Sequence, residues 1–149
     1  MGIRNIALGA DHAGVGLKNR IAETLKSWGY EVRDEGPHDL ERVDYPDYAA
    51  RVASLVSDGE VDAGVLVCGT GIGMSIAANK FTGVRAALIH DHFTAQMARE
   101  HNNANILIMG ARLLAPEYAL DCLKVWLDGE FEIRHQARLD KIAALEPGK

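Results

Sequence analysis

The chain has 149 residues, 48% hydrophobic and 25% charged, which suits a single domain over 1–149 and excludes disordered and fibrous classes. Its 16 basic and 21 acidic residues leave a formal net charge of −5, which disfavours general nucleic-acid binding. The longest charge-free stretch, Ala63 to Asn79, is rich in Gly, Ser, Thr and Asn, so no membrane span is expected, and the N-terminus MGIRNIALGADHAG does not read as a signal peptide.

Short apolar runs alternate with helical patterns along the chain. Ile6 to Ala10 reads as a first strand and Val15 to Trp28 as a helix, with Leu17, Ile21, Leu25 and Trp28 on one face and Gly29 as the stop. Tyr30 to Asp34 alternates as an edge strand would. Pro46 fits a first helical turn, with Tyr48, Val52, Leu55 and Val56 facing inward before Gly59. Val65 to Val67 is a purely apolar strand, expected where helices cover both faces of a parallel sheet. A glycine loop then leads into a helix ending near Lys80. Val84 to Ile89, Phe93 to Glu100, Ile106 to Met109 and Pro116 to Leu127 give two further strand–helix pairs.

Five such pairs predict a three-layer α/β sandwich of Rossmann-like type, with a doubly wound, five-stranded parallel sheet. One helix is left over. Residues from about Ile133 to Leu145 carry Leu139 and Ile142 on one side and Arg134, Arg138 and Lys141 on another. That apolar side must pack on its own domain or on a second subunit.

The stretch VLVCGTGIGMSIAANK, Val65 to Lys80, joins the third strand to its helix. Gly69, Gly71 and Gly73 do not satisfy the dinucleotide fingerprint G-x-G-x-x-G, and no P-loop Gly-Lys-Ser/Thr follows. What remains is a set of closely spaced backbone N–H groups fit for an anion. Strand-end cysteines are commonly buried and inert. A helix N-terminus, however, favours a thiolate, and a thiolate at Cys68 beside convergent amides suits proton abstraction from carbon with an oxyanion held nearby. Thr70 can donate to either. Cys122, inside LDCLKVWL, reads as core, and two distant cysteines imply reduced thiols in the cytoplasm.

The first strand ends in Asp11 and His12, which open onto the same crevice as Cys68 if strands one and three are neighbours; Asp11 is equally suited to capping the helix. His101 and Asn102 end the fourth helix, and Arg112 follows the fifth strand, where an anion is welcome. The run His90-Asp91-His92 lacks the spacing of a metal site, and His38 reads as exposed.

Taken together, Asp11-His12-Ala13-Gly14, Asp44-Tyr45-Pro46, Cys68 to Gly73, Ala77-Ala78-Asn79-Lys80, His101-Asn102, Gly110-Ala111-Arg112 and Arg134-His135-Gln136 resemble the B-type ribose-5-phosphate isomerases. Their family also holds galactose- and allose-6-phosphate isomerases. The resemblance implies an aldose–ketose isomerase without metal or organic cofactor, which opens the furanose, removes the C2 proton and returns it to C1 through an enediolate. One branch of the family uses a cysteine before the glycine loop and another a glutamate within it. That glutamate's place is Met74 here, so the resemblance makes Cys68 the base. It further implies that Thr70 supports the base and that the amides of Gly69, Gly71 and Gly73 hold the enediolate. His101 opens the ring with Asp11 close by, Tyr45 and Asn102 contact the sugar, and His12, Arg112, Arg134 and Arg138 clamp the phosphate. The terminal-helix arginines are expected to reach a neighbouring subunit's site in a homodimer, or a tetramer of two such dimers. A hexose 6-phosphate as substrate, and a non-catalytic phospholigand-binding module, are the alternatives.

Overall fold

The computed structural model describes residues 2–147. Five strands, β1 (Asn5–Ala10), β2 (Glu31–Asp34), β3 (Ala63–Cys68), β4 (Ala86–Leu88) and β5 (Ile106–Gly110), form one parallel sheet in the order β2-β1-β3-β5-β4. Strand order reverses between β1 and β3, which pair from Ile6↔Ala63 to Ala10↔Val67. Helices α1 (Val15–Ser27), α4 (His92–Glu100) and α5 (Pro116–Asp128) cover one face, while α2 (Tyr45–Ser57) and α3 (Ile72–Ala78) cover the other.

The all-apolar β3 is buried along its whole length, as the double cover requires. Its side chains alternate: Val65 and Val67 face Leu17, Ile21 and Trp126, whereas Leu66 and Cys68 face Val52 and Met74. The expected strand of Val84 to Ile89 is ladder-paired only over β4, at the sheet edge. Trp28 is the C-cap of α1 and 37% exposed rather than a core residue, because Leu25 already closes that end of the helix.

One tie carries no local mark in the chain. Lys18 of α1 is 1% exposed and puts its ammonium 2.7 and 2.9 Å from the two Asp34 carboxylate oxygens at the end of β2. The Gly36 N–H donates to the same carboxylate, and the Gly36 carbonyl accepts from Ala10 at the end of β1. A buried ammonium without its carboxylate is strongly unfavourable, so this pair fixes where the 35–44 loop crosses the sheet edge.

The leftover segment divides into a 3₁₀ turn at Ile133–His135 and α6 (Gln136–Ala143). Leu139 is the buried residue of α6, while Ile133, Ile142 and Leu145 are exposed.

Candidate active site

At the carboxyl edge of the sheet the register places Cys68 opposite Gly110, beside the end of β1. The thiol is 5% exposed, and its Sγ accepts the Gly71 N–H at 3.1 Å. Gly71 precedes α3 with φ 83°, a left-handed conformation, and a Cβ there would sit 2.5 Å from Leu88 Cδ1. Glycine is therefore what lets this N–H turn onto the sulfur. Thr70 is exposed, with its Oγ1 accepting from the Ile72 N–H. Met74, in the place of the alternative glutamate, is fully buried in the same apolar cluster as Cys68.

Around this sulfur stand the other carboxyl-edge residues. The Asp11 N–H donates to the Val67 carbonyl, and Asp11 Oδ1 accepts from Ala13 and Gly14 at 2.9 and 3.1 Å, closing the turn before α1, whose N-cap is Gly14 rather than Asp11. Because the Val43 N–H donates to His12 Nδ1 at 3.3 Å, the neutral His12 ring carries its proton on Nε2. Tyr45, the first residue of α2, lies over Gly73, where any Cβ would collide with its ring. The Arg112 guanidinium lies over Gly69, and the Arg112 N–H donates to the Gly69 carbonyl at 3.0 Å. Asp11, His12, Tyr45, Cys68, Thr70, the three glycines and Arg112 thus share one edge.

His101, Asn102, Arg134 and Arg138 do not join them within the chain. Helix α4 runs back across the sheet, so His101 lies at the amino edge, separated from Cys68 by roughly the length of β5, about 13 Å at a rise of ~3.3 Å per residue. Asn103, just past this helix, is left-handed (φ 43°), and Arg85 donates to the Asn102 and Asn103 carbonyls. The C-terminal segment docks here through the Glu132 N–H, which donates to the Glu100 carbonyl at 2.8 Å. His101 and His135 then lie with ring centroids 4.3 Å apart, Arg138 Nη1 is 3.3 Å from His135 Nδ1, and Arg134 is paired with Glu132 at 2.6 Å. Sequence reasoning missed Glu132 and His135, although His135 stands inside the Arg134-His135-Gln136 motif.

The run His90-Asp91-His92 belongs to helix capping. Asp91 accepts from the Thr94 N–H while Thr94 Oγ1 accepts from the Asp91 N–H, and His92 stacks on Tyr118. The Thr94 backbone N–H is the main reason that the Asp91 carboxyl lies below the usual carboxylate range. Cys122 is fully buried, and burial pushes its thiol up to about 11. His38 is exposed.

These features define a doubly wound α/β protein with a thiol at the carboxyl edge of its topological switch point. The model of the ribose/galactose isomerase family matches residues 6–142. Ribose-5-phosphate isomerase B of Escherichia coli is 46% identical over 145 residues, 97% of each chain. A D-erythrulose-4-phosphate isomerase of Pectobacterium atrosepticum is also 46% identical, over 86% of this chain and 85% of its own. The solved ribose-5-phosphate isomerase B of Mycoplasma genitalium with bound ribulose-5-phosphate superposes with a TM-score of 0.95, at 39% identity and full coverage of both chains. The chain belongs to the ribose/galactose isomerase family.

Proposed function

We propose that the protein is an isomerase interconverting ribose 5-phosphate and ribulose 5-phosphate, working as a cytoplasmic homodimer whose sites are shared between protomers. The observation that carries the shared site is the division just described: Cys68 and the sugar-facing residues sit at one edge, and the acid and two arginines at the other. Exposed Ile72 and Ile76 on α3, Phe93 on α4 and Ile133 and Ile142 near the C-terminus offer apolar surface for a second copy. The two cysteines, Cys68 and Cys122, are unpaired, and no helix among the described residues is long and apolar enough to cross a membrane.

The mechanism follows from the two edges. The partner subunit's His101 protonates the ring oxygen as the C1–O4 bond breaks, while Asp11 receives the O1 proton; an open aldehyde results. The Cys68 thiolate, held by the Gly71 N–H, removes the C2 proton. Charge passes to O1, where the Gly69 and Gly73 amides and Thr70 steady the enediolate. The O2 proton moves to O1 and the Cys68 thiol returns its proton to C1, which gives the ketose. His12 Nε2–H and Arg112 bind the phosphate from one side, and the partner subunit's Arg134 and Arg138 from the other, where guanidinium forks suit its oxygens. Tyr45 and the partner subunit's Asn102 orient the sugar hydroxyls. No step calls for a metal or organic cofactor.

Relatives named for a four-carbon and a five-carbon phosphate are equally identical to this chain, so substrate length is what the first experiment must resolve. Comparing kcat/KM for erythrose 4-phosphate, ribose 5-phosphate, allose 6-phosphate and galactose 6-phosphate is expected to favour ribose 5-phosphate. A preference for either hexose overturns the pentose assignment, and no turnover of any of them returns the chain to the class of binding modules.

A further inference from the structure

The amino-edge unit contains two side chains that the reaction scheme leaves idle, Glu132 and His135. We propose that both are positioning residues, which hold the His101 imidazole in place and supply the fixed charge that steadies it when protonated; this rests on the reading of His101 as the ring-opening acid.

His135 is 4% exposed and its ring lies at 35° to that of His101, 4.3 Å between centroids. Guanidinium groups only donate, so Arg138 Nη1 at 3.3 Å makes His135 Nδ1 an acceptor and leaves the proton of the neutral ring on Nε2. That Nε2 is buried and has no hydrogen-bond partner; the nearby carboxylate oxygen, Glu132 Oε2, is 3.6 Å away. A buried N–H without a partner is costly, and its retention beside His101 calls for a reason. Burial first, and then the charges of Arg134, His101 and Arg138, hold His135 below the ordinary histidine value. His135 therefore stays neutral and packs against His101 without opposing its charge.

Glu132 supplies the opposite sign. Its backbone N–H is bonded to the last residue of α4, next to His101, and its carboxylate lies with the nitrogens of both histidines in a cluster no wider than 4.8 Å. The hydrogen bond from Arg134 holds that carboxyl below its usual value, so it is charged at neutral pH. A fixed carboxylate beside an imidazole orients the ring and stabilises its imidazolium, as in acid–base pairs generally. The trio has the spacing of a metal site, yet Arg134 already holds the carboxylate and Arg138 the second nitrogen of His135. Two guanidinium charges flank the place an ion would take, and this suits a proton rather than a divalent cation.

The test separates ring opening from every other step. With ribose 5-phosphate deuterated at C2, slow ring opening hides the isotope effect on kcat/KM, whereas damage to the phosphate clamp leaves it visible. Glu132→Gln and His135→Leu are expected to lower kcat/KM for ribose 5-phosphate about tenfold or more and to bring its isotope effect toward unity. Glu132→Asp should recover part of both. Erythrose 4-phosphate cannot close a furanose, since its phosphate blocks the hydroxyl required, so any turnover of it should fall less than that of ribose 5-phosphate in the same variants, by only what Arg134 and Arg138 lose with their partners. A rate loss with an undiminished isotope effect, or no rate loss, overturns the proposal. Glu132→Gln is isosteric and part-exposed, so it carries the test should His135→Leu fail to fold. His101→Asn is the control: if it leaves ribose 5-phosphate turnover intact, the ring-opening reading itself fails, whatever the Glu132 variants do.

Discussion

The two edges of the sheet are built in different ways. At the carboxyl edge, Cys68 to Gly73 are consecutive residues, and Asp11, His12 and Arg112 follow strands that pair directly with β3 or its neighbour. Sheet register alone brings them together, and backbone groups hold the sulfur and the His12 ring. At the amino edge the parts come from a helix end and from a segment some thirty positions later. They are joined by one backbone hydrogen bond, a pair of histidine rings in tilted contact and two arginine contacts. The first edge is a product of the fold; the second is a side-chain assembly.

The largest expected effect tests the carboxyl edge. Cys68→Ala should lower turnover by about 10²–10⁴-fold with an unchanged circular dichroism spectrum, as loss of a general base does. Retained activity would break the comparison, since the register would then have assembled nothing chemical. Next comes the division between edges. Cys68→Ala and His101→Asn chains, each poorly active alone, should regain about a quarter of wild-type activity when dissociated and reassorted, because mixed dimers carry one intact site of two. No recovery would mean that each chain completes its own site.

Stability variants sharpen the same contrast. Asp34→Asn strands the Lys18 ammonium, 1% exposed, and should cost about 2 kcal/mol in urea unfolding; this is less than a fully buried pair because Asp34 is 25% exposed. Turnover per folded molecule should survive. Gly71→Ala forces a left-handed alanine against Leu88, at about 1–2 kcal/mol of backbone strain plus the displaced contact, and should also reduce turnover because the N–H leaves the sulfur. Acid sensitivity is the smallest effect and belongs to the amino edge. The folded His135 resists a proton that the unfolded chain accepts near 6.5, so stability should fall as pH drops through that value. Glu132, whose folded carboxyl is depressed, adds stability above 4.5 that disappears as pH falls through its folded value. Replacing His135 with Gln should flatten the slope between about pH 7 and 5 in thermal melts.

Most of the carboxyl edge was legible in the sequence, because a loop of consecutive residues between an apolar strand and a helix declares its own geometry. The five strands and their helices were legible for the same reason, with errors at ends such as Val84, Ile89 and Trp28, where pairing and packing decide the boundary. Glu132, His135 and the Lys18–Asp34 pair were not legible. A glutamate in a tail and a lysine in a helix carry no local mark of the partner they will meet.

The order of residues determined the alternation of strand and helix, the thiol at the mouth of the glycine loop and the arginines of the last helix, since each depends on neighbours within a few positions. Tertiary structure alone decided that Cys68 and His101 stand at opposite edges. A parallel strand must send its following helix back across the sheet, so residues at a strand's end and at a helix's end are parted by the sheet's own length.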